Sequence, residues 1–131
     1  MAIELQGFKF TAIAGESLST YQYHFMKLSA DMTVVKCSAT TDIPCGVLQN
    51  NPPILGSAEV MVYGITKILG ASLTAGMLIG THTDGHAVEI DPDGGADLYI
   101  CGQVLIGTGA GAGEIASALI NCANPVIQSK S

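Results

Sequence analysis

The sequence predicts an all-β fold, a small β-barrel or β-sandwich of about ten short strands with at most one or two short helical turns. Apolar residues alternate with polar ones in short runs that are rich in β-branched side chains and bounded by Gly, Pro, Asp or Asn. These runs follow one another about every ten residues, as is typical of barrels and sandwiches. Because 48% of the 131 residues are hydrophobic, the chain has to bury a core, and its length suits a single domain.

Turn signals separate the predicted strands in the first half of the chain. Ser29-Ala30-Asp31 is a hairpin-sized connection made of turn-forming residues. Asn50-Asn51-Pro52-Pro53 ends a strand, because two consecutive prolines cannot donate hydrogen bonds to a ladder. The predicted strands here are residues 8–13, 21–28, 32–37, 45–49, 58–63 and 65–69.

The second half of the chain continues the pattern with two ambiguous segments. Ala71–Gly76 is predicted to form one helical turn ended by its glycine, and Ile115–Asn121 fits either a strand or a helix. The Asp84-Gly85 pair suits a tight turn with positive φ. The predicted strands are residues 77–81, 87–90, 99–106 and 114–120, the last two flanking a glycine-rich tip at 107–113.

The chain contains a faint internal repeat. Cys45-Gly46-Val47-Leu48, a loop and an acidic-apolar return strand are answered by Cys101-Gly102-Gln103-Val104-Leu105, a loop and a similar return strand. Two copies are too few for a solenoid, so the repeat predicts two similar hairpins within one barrel.

The chain carries unusually few charges. Only 12% of its residues are charged and its mean hydropathy is +0.43, whereas an average soluble chain is about one quarter charged. Too few charges remain to cover a lone globule of 13.4 kDa. The shortage predicts that part of the surface is covered by sister copies or by a larger partner.

The charges that are present exclude several partner classes. The net charge is −6, the five lysines stand singly and there is no arginine, so the sequence predicts no nucleic-acid partner and disfavours phosphoryl transfer. No secretory signal and no membrane span are recognisable, which predicts synthesis in the cytoplasm without a membrane partner. The four cysteines show no CxxC spacing, so half-buried free thiols are favoured over a disulfide or a metal site.

Two loops resemble ligand sites without completing them. Gly107-x-Gly109-x-x-Ala112 follows a strand like a dinucleotide-binding loop, but too little chain follows for a second parallel strand and its acidic residue. Asp91, Asp93 and Asp97 crowd one loop, yet the order of an EF-hand is not met. We therefore expect a hairpin tip at the first loop, a solvated turn at the second, and no cofactor.

The three histidines are likewise expected to be structural. His82 and His86 flank the Asp84-Gly85 turn, where they could face each other across a hairpin, but two exposed loop histidines are favoured over a zinc site. His24 lies in an apolar run and is expected in the core or an interface. Because no nucleophile stands in a recognisable catalytic motif, the sequence predicts neither an enzyme nor a metal site.

The order of the motifs resembles the small capsid decoration, or cement, proteins of tailed bacteriophages, of the lambda head decoration type. The segment Gly15–Leu28, the turn Gly46-Val47-Leu48-Gln49-Asn50-Asn51-Pro52 and the strand Gly64-Ile65-Thr66-Lys67 carry the likeness. The run Leu73–Val88 and the glycine-rich ending around Glu114 extend it over roughly residues 12–120. These are marks of a fold rather than of catalysis.

The resemblance implies a structural virion protein on the capsid exterior. Such proteins are usually homotrimers that bind the expanded head and cement neighbouring major capsid protein subunits against the pressure of packaged DNA. The family's N-terminal arm corresponds to residues 1–13, so the resemblance implies that Phe8, Lys9, Phe10 and Thr11 contact the capsid by β-augmentation. Two alternatives remain open: this segment is the barrel's own first strand, or the loop 107–113 makes the contact.

A second function class also remains open. A β-module that binds carbohydrate or another ligand has the same strand pattern, although the absence of Trp and the presence of only four Tyr provide few aromatic platforms. A small hydrolase or lyase on a β-barrel is disfavoured because no acid-base pair stands at a recognisable spacing.

Overall fold

A computed structural model describes residues 5–90, 98–108 and 113–128 and confirms the all-β prediction. Within these ranges no helix forms. The strands are β1 (Leu5–Ala14), β2 (Phe25–Ala30), β3 (Thr33–Lys36), β4 (Gly46–Leu48), β5 (Ser57–Gly70), β6 (Leu78–Thr81), β7 (Ala87–Glu89), β8 (Leu98–Ile100), β9 (Gly102–Ile106), β10 (Glu114–Asn121) and β11 (Val126–Gln128).

The main sheet closes on itself twice. Its strand order is β1-β3-β2-β4-β5-β10-β9-β6-β7, and two further pairings join β1 to β5 and β5 to β7. The first ring therefore runs β1-β3-β2-β4-β5 and the second runs β5-β10-β9-β6-β7. Strand β5 belongs to both rings, while β8 and β11 form a separate two-stranded sheet.

Each ring contributes to its own hydrophobic cluster. The cluster of the first ring includes Met26, Val34, Leu48 and Val60, all fully buried. The cluster of the second ring is larger and gathers mostly residues of β5, β6, β7, β9 and β10, together with Phe25 and Val47 from the first ring. Strand β5 supplies apolar side chains to both clusters, so the two rings are packed as one body.

Strand β5 is one continuous strand, which corrects the prediction of separate strands at 58–63 and 65–69. It passes through Gly64, whose φ is +139°, a conformation that favours glycine. Gly64 also lies against Gly7 of β1, since a Cβ atom at position 64 would be 2.9 Å from the Cα atom of Gly7. The glycine bends the strand without ending it.

The predicted strand 21–28 begins four residues late, at Phe25. Tyr21–His24 forms a tight turn in which the N–H of His24 donates to the carbonyl of Tyr21 at 3.1 Å. Tyr23 takes a φ of +67° in this turn, and its own N–H donates to the carbonyl of Leu48 at 2.7 Å. Alternating side chains can therefore belong to a turn whose backbone groups are satisfied by a neighbouring strand.

The later predictions also need three corrections. The predicted strand 99–106 is two strands that belong to different sheets and meet at Cys101, while β11 was not predicted. Residues 71–76 form a bend and a turn instead of a helical turn, with Ser72 at a φ of +56°. The ambiguous segment 115–121 is a strand within β10, paired residue by residue with β5.

The internal repeat corresponds to two hairpins, as predicted. Strand β4 pairs antiparallel with β5, and β9 pairs antiparallel with β10. The two repeated cysteines have equivalent backbone partners. The N–H of Cys45 donates to the carbonyl of Met26 in β2, and the N–H of Cys101 donates to the carbonyl of Ile79 in β6. Each hairpin thus extends a preceding strand in the same way, and β5 and β10 join the two copies.

We predict that Gly64→Ala lowers the free energy of unfolding by about 3 kcal/mol. Alanine is strained at this positive φ, and its Cβ atom would also clash with the backbone of Gly7. Gly76→Ala is the matched control, since Gly76 has a φ of +95° but nothing within 4 Å of the added atom. Strain alone should cost this control about 1 kcal/mol. Urea denaturation measures both, and equal losses would contradict the role given to the Gly7 contact.

Candidate interaction surface

Residues 5–13 of the predicted N-terminal arm belong to the protein's own sheet. They lie in β1, which pairs antiparallel with β5 from Leu5 to Ile13, and residues 1–4 lie outside the described ranges. Strand β3, which also pairs with β2, reaches β1 only at the end of that strand, at Ile13 and Ala14. Within the described residues the other edge of β1 therefore has no strand partner before Ile13, and the open alternative of a first barrel strand holds for this segment.

The four predicted contact residues are not equivalent. Phe8 is 77% exposed and Lys9 is also exposed, because a register shift between them interrupts the alternation of β1. Phe10 is half-buried and packs against the first hydrophobic cluster. Thr11 is exposed, but its hydroxyl donates to Oε1 of Glu59 at 2.8 Å. Phe8 and Lys9 are therefore the two side chains of this set that are exposed without a contact to the neighbouring strand described above.

Phe8 continues into an apolar surface on the neighbouring strands. It lies directly opposite Tyr63 of β5, which is 51% exposed, and directly opposed residues of an antiparallel pair share one face. Tyr63 in turn lies opposite Asn121 of β10. Leu119 lies two residues before Asn121 on β10, on the same face of the strand, and its side chain is also exposed. We call Phe8, Tyr63, Leu119 and Val126 the Phe8 surface.

A shallow groove of about 330 Å³ adjoins the Phe8 surface and shares Tyr63, Leu119 and Val126 with it. Its walls are mainly apolar, with amide side chains at Gln103, Asn121 and Asn124. The remaining lining residues are Tyr63, Leu78, Ile100, Cys101, Gly102, Leu119, Ile120 and Val126. None of the four predicted contact residues lines the groove, because its walls come from segments that are distant in the sequence, and one of them includes the unpredicted β11.

A second group of exposed apolar side chains lies near the other end of β1. Leu55 N–H donates to the carbonyl of Ala14, and Ile13 N–H donates to the carbonyl of Met32, each at 2.8 Å. Ile13, Met32, Ile54 and Leu55 are all exposed, Leu55 at 77%. Met32 and Leu55 also have positive φ values of +49° and +66°. This second surface therefore combines exposed hydrophobic area with backbone strain.

The strain at Leu55 has a clear local origin. Gly56 N–H donates to the carbonyl of Pro53 at 2.9 Å, which closes a four-residue turn with Ile54 and Leu55 in its centre. A positive φ at the third position is the mark of a type II turn, where Gly or Asn is preferred. A leucine there costs about 1 kcal/mol of backbone strain.

The histidines lie close to one another in the fold. His24 is buried, as predicted, and burial lowers its pKa below the usual range. His82 and His86 lie on the turn, as predicted, but they are only partly exposed, and their rings are stacked with centres 4.5 Å apart. Burial acts to raise the pKa of Asp84. The hydrogen bond from the N–H of His86 and the nearby imidazoles of His86 and His82 outweigh it and hold that pKa below its usual value.

The four cysteines are free thiols, and three of them have raised pKa values. Cys37, Cys101 and Cys122 are buried, and Cys45 is half-buried. Burial raises the pKa of Cys37 to about 12 and that of Cys45 to about 11. Contact with Cys101 and burial raise the pKa of Cys122 well above its usual value. Thiols with such pKa values are poor nucleophiles at neutral pH.

The lysines that the structure describes are dispersed and several have local partners. Lys27 pairs with Asp42 at 3.0 Å. Lys36 lies 4.7 Å from the ring centre of Tyr21, and Lys67 lies 6.0 Å from that of Tyr23. Phosphate binding needs several cations on one face. This arrangement gives no support to a nucleic-acid partner.

Residues 91–97 and 109–112, which carry the acidic loop and most of the tip, lie outside the described residues. The strands on either side of the tip, β9 and β10, pair antiparallel as a hairpin. A dinucleotide loop needs a following helix and a parallel strand, whereas the described part has neither after the tip.

The fold resembles part of a bacteriophage head fiber. The crystal structure of the head fiber gp8.5 N base in bacteriophage phi29 matches with a TM-score of 0.61, covering 88% of this chain and 94% of that chain at 20% sequence identity. At this identity the likeness concerns the fold. No known family and no curated protein matches the chain by sequence. The resemblance to decoration proteins therefore stays a prediction.

The described residues include no helix with the length and apolar character needed to span a bilayer.

We predict that Leu55→Asn raises the free energy of unfolding by about 1 kcal/mol, because asparagine tolerates the left-handed conformation at little cost. Ile54→Asn is the matched control, since Ile54 is an exposed neighbour in the same turn without a positive φ. Urea denaturation should show no gain for the control. Equal gains would mean that reduced surface hydrophobicity, and not relief of strain, stabilises the protein.

Proposed function

We propose that this chain is a non-enzymatic structural protein of a phage virion. It is made in the host cytoplasm, binds the outer surface of the expanded head and cements neighbouring major capsid protein subunits. The single observation that carries the proposal is the fold shared with the head fiber N base of bacteriophage phi29 over 88% of this chain. The motif order that resembles capsid decoration proteins supports the same class independently of that fold.

The Phe8 surface supplies a contact of suitable chemistry. Phe8 and Tyr63 are exposed aromatic residues beside an apolar groove, and aromatic anchors dominate the energy of protein interfaces. A standard interface buries about 800 Å² on each partner. The chain has a surface of 6443 Å², so one such contact uses about an eighth of it and leaves room for sister copies.

The symmetry of a head strengthens such a contact. A homotrimer presents the Phe8 surface three times to a shell of repeating subunits, and linked contacts gain affinity through their effective concentration. The free edge of β1 adds backbone groups that can pair with a strand of the capsid protein. The low charge of the chain suits burial between copies and against the shell.

The groove also supports a second candidate function, a β-module that binds carbohydrate or another small ligand. Its volume of about 330 Å³ is at the lower limit for ligand pockets, and Tyr63, Gln103, Asn121 and Asn124 offer one aromatic ring and three amides. A glycan array distinguishes the two functions. Specific glycan binding that Tyr63→Ala abolishes would favour this candidate over the cement.

We predict that the protein cosediments with expanded heads of its own phage that lack it, and that Phe8→Ser weakens this binding at least tenfold. Loss of a central aromatic anchor costs more than about 1.4 kcal/mol, which corresponds to that factor. Quantified cosedimentation over a concentration series measures the affinity.

Leu55→Asn is the matched control for Phe8→Ser. Both side chains are 77% exposed, and they lie near opposite ends of β1. Binding should be unchanged in the Leu55 variant. If the Leu55 variant loses binding and the Phe8 variant keeps it, the second surface is the contact. Absence of binding by the wild-type protein would reject the proposed function itself.

We predict a homotrimer in solution or on the head. Light scattering coupled to size exclusion should then give three times the chain mass of 13.4 kDa, because covering apolar surface offsets the shortage of charge. If the protein is monomeric in solution, counting its copies on saturated heads tests the trimer. A copy number per head that is incompatible with threefold clusters would contradict it.

A further inference from the structure

The hairpin turn between β6 and β7 brings together three possible metal ligands. The N–H of Gly85 donates to the carbonyl of His82 at 3.1 Å, and the N–H of His82 donates to the carbonyl of His86 at 2.9 Å. Gly85 has a φ of +88°, which reverses the chain after the turn. His82 and His86 thus close the hairpin side by side, with Asp84 between them.

The turn is anchored to the body of the protein. Phe25 N–H donates to the carbonyl of Gly85 at 2.7 Å. Gly85 is packed so closely that a Cβ atom there would lie 2.8 Å from Cγ of Lys36 and 3.2 Å from the carbonyl oxygen of Phe25. Ligands on a turn held in this way need little ordering when an ion binds, which favours affinity.

The side chains of the turn converge on one point. The imidazole rings of His82 and His86 are stacked with an interplanar angle of 17°. Nδ1 of His82 lies 3.6 Å from Oδ1 of Asp84, and Nδ1 of His86 contacts the same oxygen. One ligand atom from each of the three residues lies within 4.8 Å of the others.

We propose that His82, Asp84 and His86 bind one divalent transition-metal ion of the zinc class. Two imidazole nitrogens and one carboxylate oxygen form a ligand set typical of Zn²⁺. Ligand bonds of about 2.1 Å in a tetrahedron separate neighbouring ligand atoms by about 3.4 Å. Small rotations of three partly exposed side chains bring the cluster to that spacing, and the fourth position is left to water.

The pairing of both histidines favours a metal site over a simple ion pair. One imidazole is enough to pair with Asp84. Here both rings stack on each other, and the Nδ1 atoms of both approach the same oxygen, Oδ1 of Asp84. The third histidine, His24, packs beneath the turn, where a Cβ atom on Gly85 would lie 3.4 Å from its Cβ atom. The net charge of −6 also attracts cations to the chain.

Calorimetric titration of the tag-free, chelator-treated protein with zinc chloride tests the site. We expect one ion per chain, and at least tenfold weaker binding after His86→Gln or Asp84→Asn, since each removes a ligand. Asp31→Asn is the control, because Asp31 lies in another exposed turn of the same chain. The zinc affinity of this variant should equal that of the wild type. Circular dichroism identifies any variant that fails to fold, and His82→Gln then replaces it.

Cobalt(II) absorption identifies the ligand type independently. Intense d–d bands without a thiolate-to-metal charge-transfer band are expected for nitrogen and oxygen ligands in a tetrahedral site. A charge-transfer band would place the ion at a cysteine and overturn the proposal. Failure of the wild type to bind zinc, or equal binding by all folded variants, would overturn it as well. None of these outcomes depends on binding to a phage head.

Discussion

Strand β5 is the element on which the rest of the structure depends. Its 14 residues pair with β1 and β4 in the first ring and with β10 and β7 in the second. Because the same strand closes both rings, the two hydrophobic clusters cannot form independently of each other. Gly64, near the middle of β5, lets the strand bend from one ring to the other. Bending is essential, since a flat 14-residue strand could not border two small closed sheets.

The placement of the interaction surface follows from this shared strand. Tyr63 precedes the bend at Gly64, with Phe8 of β1 opposite it on one edge and Asn121 of β10 opposite it on the other. The Phe8 surface therefore spans the junction of the two rings. Side chains from both rings reach it, so a partner bound there would contact both halves of the protein.

The sequence predicted the strands better than their connections. Period-two alternation located most strands because it reflects burial on one face. The prediction that a strand ends before the prolines at 52–53 is also correct, since β4 ends at Leu48. Alternation failed at Tyr21–His24, where a turn has the same pattern of side chains and is held partly by its own hydrogen bond and partly by bonds to Leu48 of β4. It failed at Gly64 as well, because glycine bends a strand or ends it according to its tertiary contacts. Ring closure depends on pairings between distant strands, which local periodicity does not encode.

The sequence predicted no metal site, and it placed residues of the candidate sites together only where they are close in the chain. His82, Asp84 and His86 lie within one turn, so their proximity was foreseeable, whereas their stacking depends on how β6 pairs with β7. Phe8 was identified from its own strand. Its neighbours Tyr63, Leu119 and Val126 come from β5, β10 and β11, and no sequence spacing connects them. Surfaces assembled from several strands become visible when the register is known.

The shape of the groove bears on the choice between a cement and a ligand-binding module. A free module must hold its ligand with a single site, so it needs a deep pocket that buries most of the ligand. The groove here is open and shallow, and it is continuous with an exposed aromatic pair. A protein that docks on a shell of identical subunits does not need depth, because several modest contacts act together and the effective concentration replaces single-site affinity. A broad apolar surface with a low charge is the arrangement that benefits from such repetition.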